Sequence, residues 1–110
     1  MVKKAGDKKL STWAKGSTFT YSGSVQEGVQ IFYGTKPFRQ EISKEQFSKM
    51  LQHFNGTTVD IGTSRTDRSP ESLGYWLGKY ICERAIASYV GAILVNEGFA
   101  FKRKNLIKFI

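Results

Sequence analysis

Ala87-Ser88-Tyr89-Val90-Gly91-Ala92-Ile93-Leu94-Val95-Asn96-Glu97-Gly98-Phe99-Ala100 changes its apolar period part-way along, and that change decides the fold. Ile86, Val90, Ile93 and Leu94 recur at the three- and four-residue intervals that put side chains on one face of a helix. Glu97-Gly98 supplies a left-handed stop, with Gly98 at the C′ position. Phe99 and Phe101 then alternate with Ala100 and Lys102 in the two-residue period of a strand. Leu106-Ile107-Lys108-Phe109-Ile110 answers across Arg103-Lys104-Asn105, which predicts a terminal β-hairpin with a cationic tip.

Upstream of this helix, which is expected from Glu83 to Glu97, lies a second one. Ser69 is its predicted cap, and Pro70 takes the first helical position, where a missing N–H costs nothing. Leu73, Trp76, Leu77 and Tyr80 form its apolar face, and the phase breaks at Ile81-Cys82. A third helix begins at Ser43, because Ser43 and Gln46 fit a capping box and Ile42 and Phe47 fit a hydrophobic staple. Phe47, Met50, Leu51 and Phe54 share one face, and Asn55-Gly56 ends it. Thr57–Ile61 reads as a short strand and Gly62–Arg68 as a polar loop. Thr18–Tyr21 and Val29–Tyr33 are two β-favouring runs around the Gly/Ser-rich Ser22–Gly28, a second hairpin.

Residues 1–16 show no apolar period beyond Leu10 and Trp13 and carry Lys3, Lys4, Lys8, Lys9 and Lys15; they read as a flexible basic arm in front of a single domain over 17–110. The 110 residues hold 17 Lys+Arg against 9 Asp+Glu, a net charge of +8, with 40% hydrophobic residues. That content supplies one modest core and excludes a wholly disordered chain. The surplus charge points to nucleic acid or an acidic surface as partner. One cysteine, Cys82, and one histidine, His53, exclude an internal disulfide and leave too few soft ligands for a structural zinc site. No apolar run approaches the ~20 residues of a membrane span, and no signal-peptide core follows Met1–Lys9, so an intracellular, cytoplasmic protein is expected.

The order helix, strand, helix, helix, β-hairpin over roughly Gln40–Ile110 resembles that of the winged helix-turn-helix DNA-binding superfamily. The likeness is one of architecture, and its most specific stretch runs from Ser72-Leu73-Gly74-Tyr75-Trp76-Leu77 to the helix that closes on Asn96-Glu97-Gly98 and enters a strand. The expected fold is therefore α+β: a three-helix core with a C-terminal wing and an N-terminal β-hairpin. The resemblance implies that the last helix enters a major groove while the wing tip meets phosphates or a neighbouring groove. The face opposite its apolar stripe carries Arg84, Ala87, Ser88 and Gly91. Two readings fit so small a face: close approach to DNA, with Ser88 on a base edge and Ala87 on a thymine methyl, or packing against another helix of this chain or of a second copy.

The cations cluster beside that helix. Lys102, Arg103, Lys104 and Lys108 lie on the wing, and Arg65 and Arg68 lie in the loop among Thr63, Ser64 and Thr66. Each run suits phosphate contact, which positions a protein without reading sequence, and each is also what a solvated turn looks like. Trp13, Tyr21, Phe32, Tyr33, Phe38 and Tyr75 sit among polar or basic neighbours, where rings either stack unpaired bases or cover a small core. Catalytic patterns are missing: Asp60, Asp67, Glu71 and Glu83 are scattered, His53 has no acidic partner near in sequence, and Cys82 sits at an interhelical bend. Gly74 and Gly78 have no phosphate-loop spacing and suit close helix approach.

The sequence therefore predicts a small, non-enzymatic, double-stranded DNA-binding protein without cofactor or metal, such as a transcriptional regulator or a targeting module. Nucleic-acid contacts are expected from Arg65, Arg68, Arg84, Ser88, Lys102, Arg103, Lys104 and Lys108. A homodimer on paired half-sites is compatible with so small a module; a membrane or a small-molecule substrate is not expected. The competing expectations are a protein-interaction module on the same scaffold and an RNA-binding protein that uses the N-terminal strands as its platform.

Overall fold

The computed structural model describes residues 8–34, 38–63 and 69–110. It is mixed α+β, with three helices and two antiparallel sheets among the described residues. Strands β1 (Lys8–Ser11), β2 (Thr18–Ser24), β3 (Gly28–Tyr33) and β4 (Phe38–Ile42) form a sheet in the order β1-β2-β3-β4. Helix α1 (Lys44–Phe54), strand β5 (Thr58–Asp60), helices α2 (Leu73–Tyr80) and α3 (Ala87–Asn96), and strands β6 (Ala100–Arg103) and β7 (Leu106–Phe109) follow. The second sheet is ordered β5-β7-β6.

The first sheet is larger than the expected hairpin because both of its outer strands look polar in sequence. In β1 only Leu10 faces inward among lysines and serine, and β4 buries only Ile42 beside exposed Arg39 and Glu41. Charged edge strands of this kind discourage pairing with a second chain, at the cost of the alternation that would reveal them. The basic arm is corrected accordingly: Lys8–Ser11 pairs with Thr18–Tyr21, and Trp13 is 4% exposed. Lys3 and Lys4 lie outside the described residues.

Phe19, Tyr21, Val29, Ile31 and Ile42 from the first sheet and Ile107, Phe109 and Ala100 from the second close on one core with the helices. Phe54 stacks on Phe109 at 4.8 Å between ring centroids. The capping box at Ser43 is present in full, with the Gln46 N–H donating to Ser43 Oγ at 3.1 Å and the Ser43 N–H donating to Gln46 Oε1 at 2.8 Å. Gly56 ends α1 at a φ of 69°, the left-handed region that favours glycine. The stop at Gly98 is a Schellman motif, in which the Phe99 N–H reaches the Leu94 carbonyl at 2.9 Å and the Gly98 N–H reaches that of Val95 at 3.2 Å.

Two helix starts differ from expectation. Helix α2 begins at Leu73 with Ser72 as its cap, Ser72 Oγ accepting from the Tyr75 N–H at 3.0 Å. Ser69-Pro70 instead opens a turn, closed by the Ser72 N–H on the Ser69 carbonyl at 2.9 Å. Both serines satisfy the local rule; Ser72 prevails because the Gly74 N–H in the first turn is taken by the Ile61 carbonyl at 3.0 Å, a long-range bond. Helix α3 begins at Ala87, after an irregular link in which Glu83 and Arg84 are exposed and bring no apolar face. The inward stripe Ile86, Val90, Ile93 and Leu94 is fully buried.

Candidate nucleic-acid interface

Trp13 organises the end of the molecule that carries the C-terminal hairpin. Its indole Nε1–H donates to the Lys104 carbonyl at 2.8 Å, across 91 positions of sequence. Its backbone N–H donates to the Ser88 carbonyl at 3.0 Å, and its own carbonyl accepts from Lys102 Nζ. The Lys102 ammonium also lies 5.2 Å from the centre of the indole ring, in cation–π range. One residue thus ties the turn after β1 to α3 and to the β6–β7 tip.

The same ring decides between the two readings of the small helix face. A Cβ built on Gly91 would lie 2.6 Å from Ile61 Cδ1 and 2.8 Å from Trp13 Cε3, closer than real side-chain contacts allow. Gly91 is glycine because the indole and Ile61 occupy that space. On α3 every residue from Ala87 to Val95 is buried or half-buried. Tyr89 stacks on Tyr33 at 4.6 Å and meets Phe19 edge-on at 5.1 Å; burial and the neighbouring Tyr33 raise its hydroxyl pKa above the ordinary tyrosine value. At Gly91 the packing reading holds, with Trp13 and Ile61 of the same chain as the neighbours, while Ser88 and Ala92 on either side are half-buried.

Ser88 is therefore half-buried and its backbone carbonyl is engaged. Arg84 stands in another corner, where Nη1 donates to the Tyr33 hydroxyl at 3.3 Å and the guanidinium lies 4.9 Å from the Phe38 ring centre. The bond to Tyr33 raises its already high pKa, so it remains cationic. A depression lined by Tyr33, Phe38, Arg84 and Ala85 marks this corner, apart from the hairpin tip.

The hairpin cations are exposed. Arg103 pairs in register with Leu106, and Leu106 with Asp60; Phe101 and Thr58 flank Lys108 in the next row. Arg103 and Lys108 thus share the outer face of the second sheet, while Lys102 turns to the Trp13 side. Lys15, which the sequence placed in the arm, lines one shallow depression together with Lys102 and Trp13. Arg65 and Arg68 lie outside the described residues. The root of their loop is described: the Ile61 N–H donates to the Asn105 carbonyl at 2.8 Å, next to the hairpin tip.

No family model matches the chain, and neither a curated protein nor a solved structure matches it.

Backbone strain singles out the same end of the molecule. Among the described residues only Lys15 and Lys104 are non-glycines with positive φ, at 60° and 53°. The left-handed region costs an L-residue on the order of 1–2 kcal/mol, which glycine avoids. Both turns therefore hold a cation at a position where glycine fits without strain, and Trp13 joins the two. The sequence carried two signals of this arrangement: a lone tryptophan in a polar stretch, and a mid-helix Gly91 among alanines and serine. Neither says which tryptophan meets which glycine. No helix among the described residues is long and apolar enough to cross a membrane.

Proposed function

We propose that the chain is a double-stranded DNA-binding protein of winged-helix type that docks on phosphates through the β6–β7 hairpin and the Trp13–Lys15 turn, without groove readout by α3. The order α1-β5-α2-α3-β6-β7, with β7 between β5 and β6, supports the winged-helix reading, the hairpin taking the place of the wing. The observation that carries the functional reading is the joining of two strained, lysine-tipped turns by Trp13. Strain persists where the surrounding structure holds it, and it concentrates at functional positions. Lys15, Lys102, Arg103 and Lys104 supply the cations, and the chain's net charge of +8 steers an anionic polymer toward them. Such contacts position a protein on a duplex and carry little sequence information.

The test is a fluorescence-anisotropy titration against random duplex DNA, single-stranded DNA and RNA at two salt concentrations. Arg103→Ala combined with Lys104→Ala is expected to weaken binding to all duplex sequences alike. If each cation neutralises one phosphate, the log–log salt slope becomes shallower by about 1.8, at about 0.9 per contact. Duplex affinity at low salt that is unchanged in the double variant would overturn the reading. A protein-interaction module built on the small face of α3 has less support, since Trp13 already occupies the space over Gly91.

A further inference from the structure

A second surface lies between α1 and α2, on elements that take no part in the hairpin tip. Gln46, Lys49 and His53 follow one another at helical spacing on α1, with Gln52 beside them; Trp76 and Tyr80, four residues apart, face them from α2. Together these six line a cleft of about 590 Å³. Tyr80 is the outlier of the apolar face expected for α2, because it is 58% exposed while Leu73 and Leu77 are fully buried.

The rings form a graded series from solvent to core. Tyr80 lies 5.1 Å from Trp76, Trp76 lies 6.2 Å from both His53 and Phe54, and Phe54 stacks on Phe109. Trp76 is 8% exposed and wedged in place, so the floor under Tyr80 is rigid. The Lys79 ammonium lies over the Tyr80 ring, 5.5 Å from its centre, where an incoming ring would displace it toward the flanking phosphate, and Lys49 lines the cleft from α1. Among the described residues no carboxylate lines the cleft. Gln46 is held by its capping bond through Oε1, which leaves its amide N–H groups as donors, and Gln52 is exposed with both donor and acceptor.

We infer that this cleft takes an unpaired nucleobase with its flanking phosphate, the base stacking on Tyr80, the glutamines meeting its edge and Lys49 and Lys79 meeting the phosphate. An exposed ring on a rigid aromatic floor is a stacking platform for any base, and lysines beside it supply the counter-charge. A run of Asp and Glu suits the lysines but brings no aromatic ring to stack on Tyr80. The site is independent of the duplex reading, since none of its six lining residues is among the hairpin and turn cations on which that reading rests.

The probe is a short 5′-fluorescein single strand with 2-aminopurine at its centre, in deoxyribose and ribose versions that distinguish DNA from RNA as the source of the base. Binding by the full chain is expected to quench the 2-aminopurine. Tyr80→Ala is expected to weaken single-strand binding roughly tenfold and abolish the quenching, while Tyr80→Phe preserves both. Lys49→Ala with Lys79→Ala weakens affinity but leaves the remaining complex quenched. Neither Tyr80 variant changes affinity for fully paired duplex, and unchanged melting temperatures confirm that the exposed position is substituted without loss of the fold. The proposal fails if Tyr80→Ala binds and quenches like the parent, or if a polyglutamate peptide displaces the strand as well as an unlabelled strand does. A chain that ignores duplex but shows Tyr80-dependent strand binding sinks the duplex reading and keeps this one.

Discussion

The small face of α3 and the tip of the β6–β7 hairpin are neighbours, both held by Trp13, yet they have opposite fates. The helix face carries Gly91, buried under Trp13, between half-buried Ser88 and Ala92; the tip carries Arg103, Lys104 and Asn105 and is exposed. Small side chains on a helix are compatible with a ligand groove and with a packed neighbour, and here an indole came first. Charged side chains on a two-residue turn leave no such choice, because burying them unpaired costs too much. Composition therefore locates a charged tip more safely than a recognition face.

Substitutions can pull the two regions apart. Trp13→Ala is expected to have the largest effect, about 3–5 kcal/mol of stability from lost packing, because the ring fills the space over Gly91 and anchors the hairpin. Denaturant unfolding reads it, and a loss below ~1 kcal/mol means that the indole does not pack as described. Gly91→Ala is next, at roughly 1–3 kcal/mol, since the new Cβ must displace Ile61 and the indole. If α3 instead offered this face to a ligand, Gly91→Ala would leave the melt unchanged and alter binding.

Arg103→Ala with Lys104→Ala is expected to stay within about ±0.5 kcal/mol of the parent in stability, as exposed positions generally do, or slightly above it, since alanine trades nothing packed for the lost charge. Its effect belongs to the salt dependence of duplex binding. Ser88→Ala is the smallest: Ser88 contributes its backbone carbonyl to Trp13, which alanine retains, so neither the melt nor affinity for any duplex sequence moves. A change of preference at one base step in that variant would restore α3 as a reading element.

The legible parts of the fold were those written within a turn or two of chain. The capping box at Ser43, the stops at Gly56 and Gly98, the stripe Ile86–Val90–Ile93–Leu94 and the switch to strand period at Phe99 all follow from local backbone chemistry. Strands β1 and β4 were not legible, because an edge strand needs only one or two inward residues and its pairing partner is set elsewhere. The choice of Ser72 over Ser69 as cap depended on Ile61, and the exposure of Tyr80 depended on where α1 ends up. Among the candidate site residues, Arg103, Lys104 and Lys108 stand exposed on the hairpin, Lys102 is exposed with its ammonium on Trp13, Arg84 is exposed in the separate corner beside Tyr33 and Phe38, and Ser88 is half-buried against Trp13.

The amino-acid sequence by itself determined the periods, the caps, the excess of positive charge and the cationic hairpin, because these are consequences of covalent geometry and of side chains a few residues apart. Tertiary structure alone decided that Trp13 covers α3, that two lysine-tipped turns share one end of the molecule, and that a ring of α2 stands open opposite α1. Those outcomes depend on contacts between residues tens of positions apart, whose free energies are set by the shape of the whole core and by no local pattern.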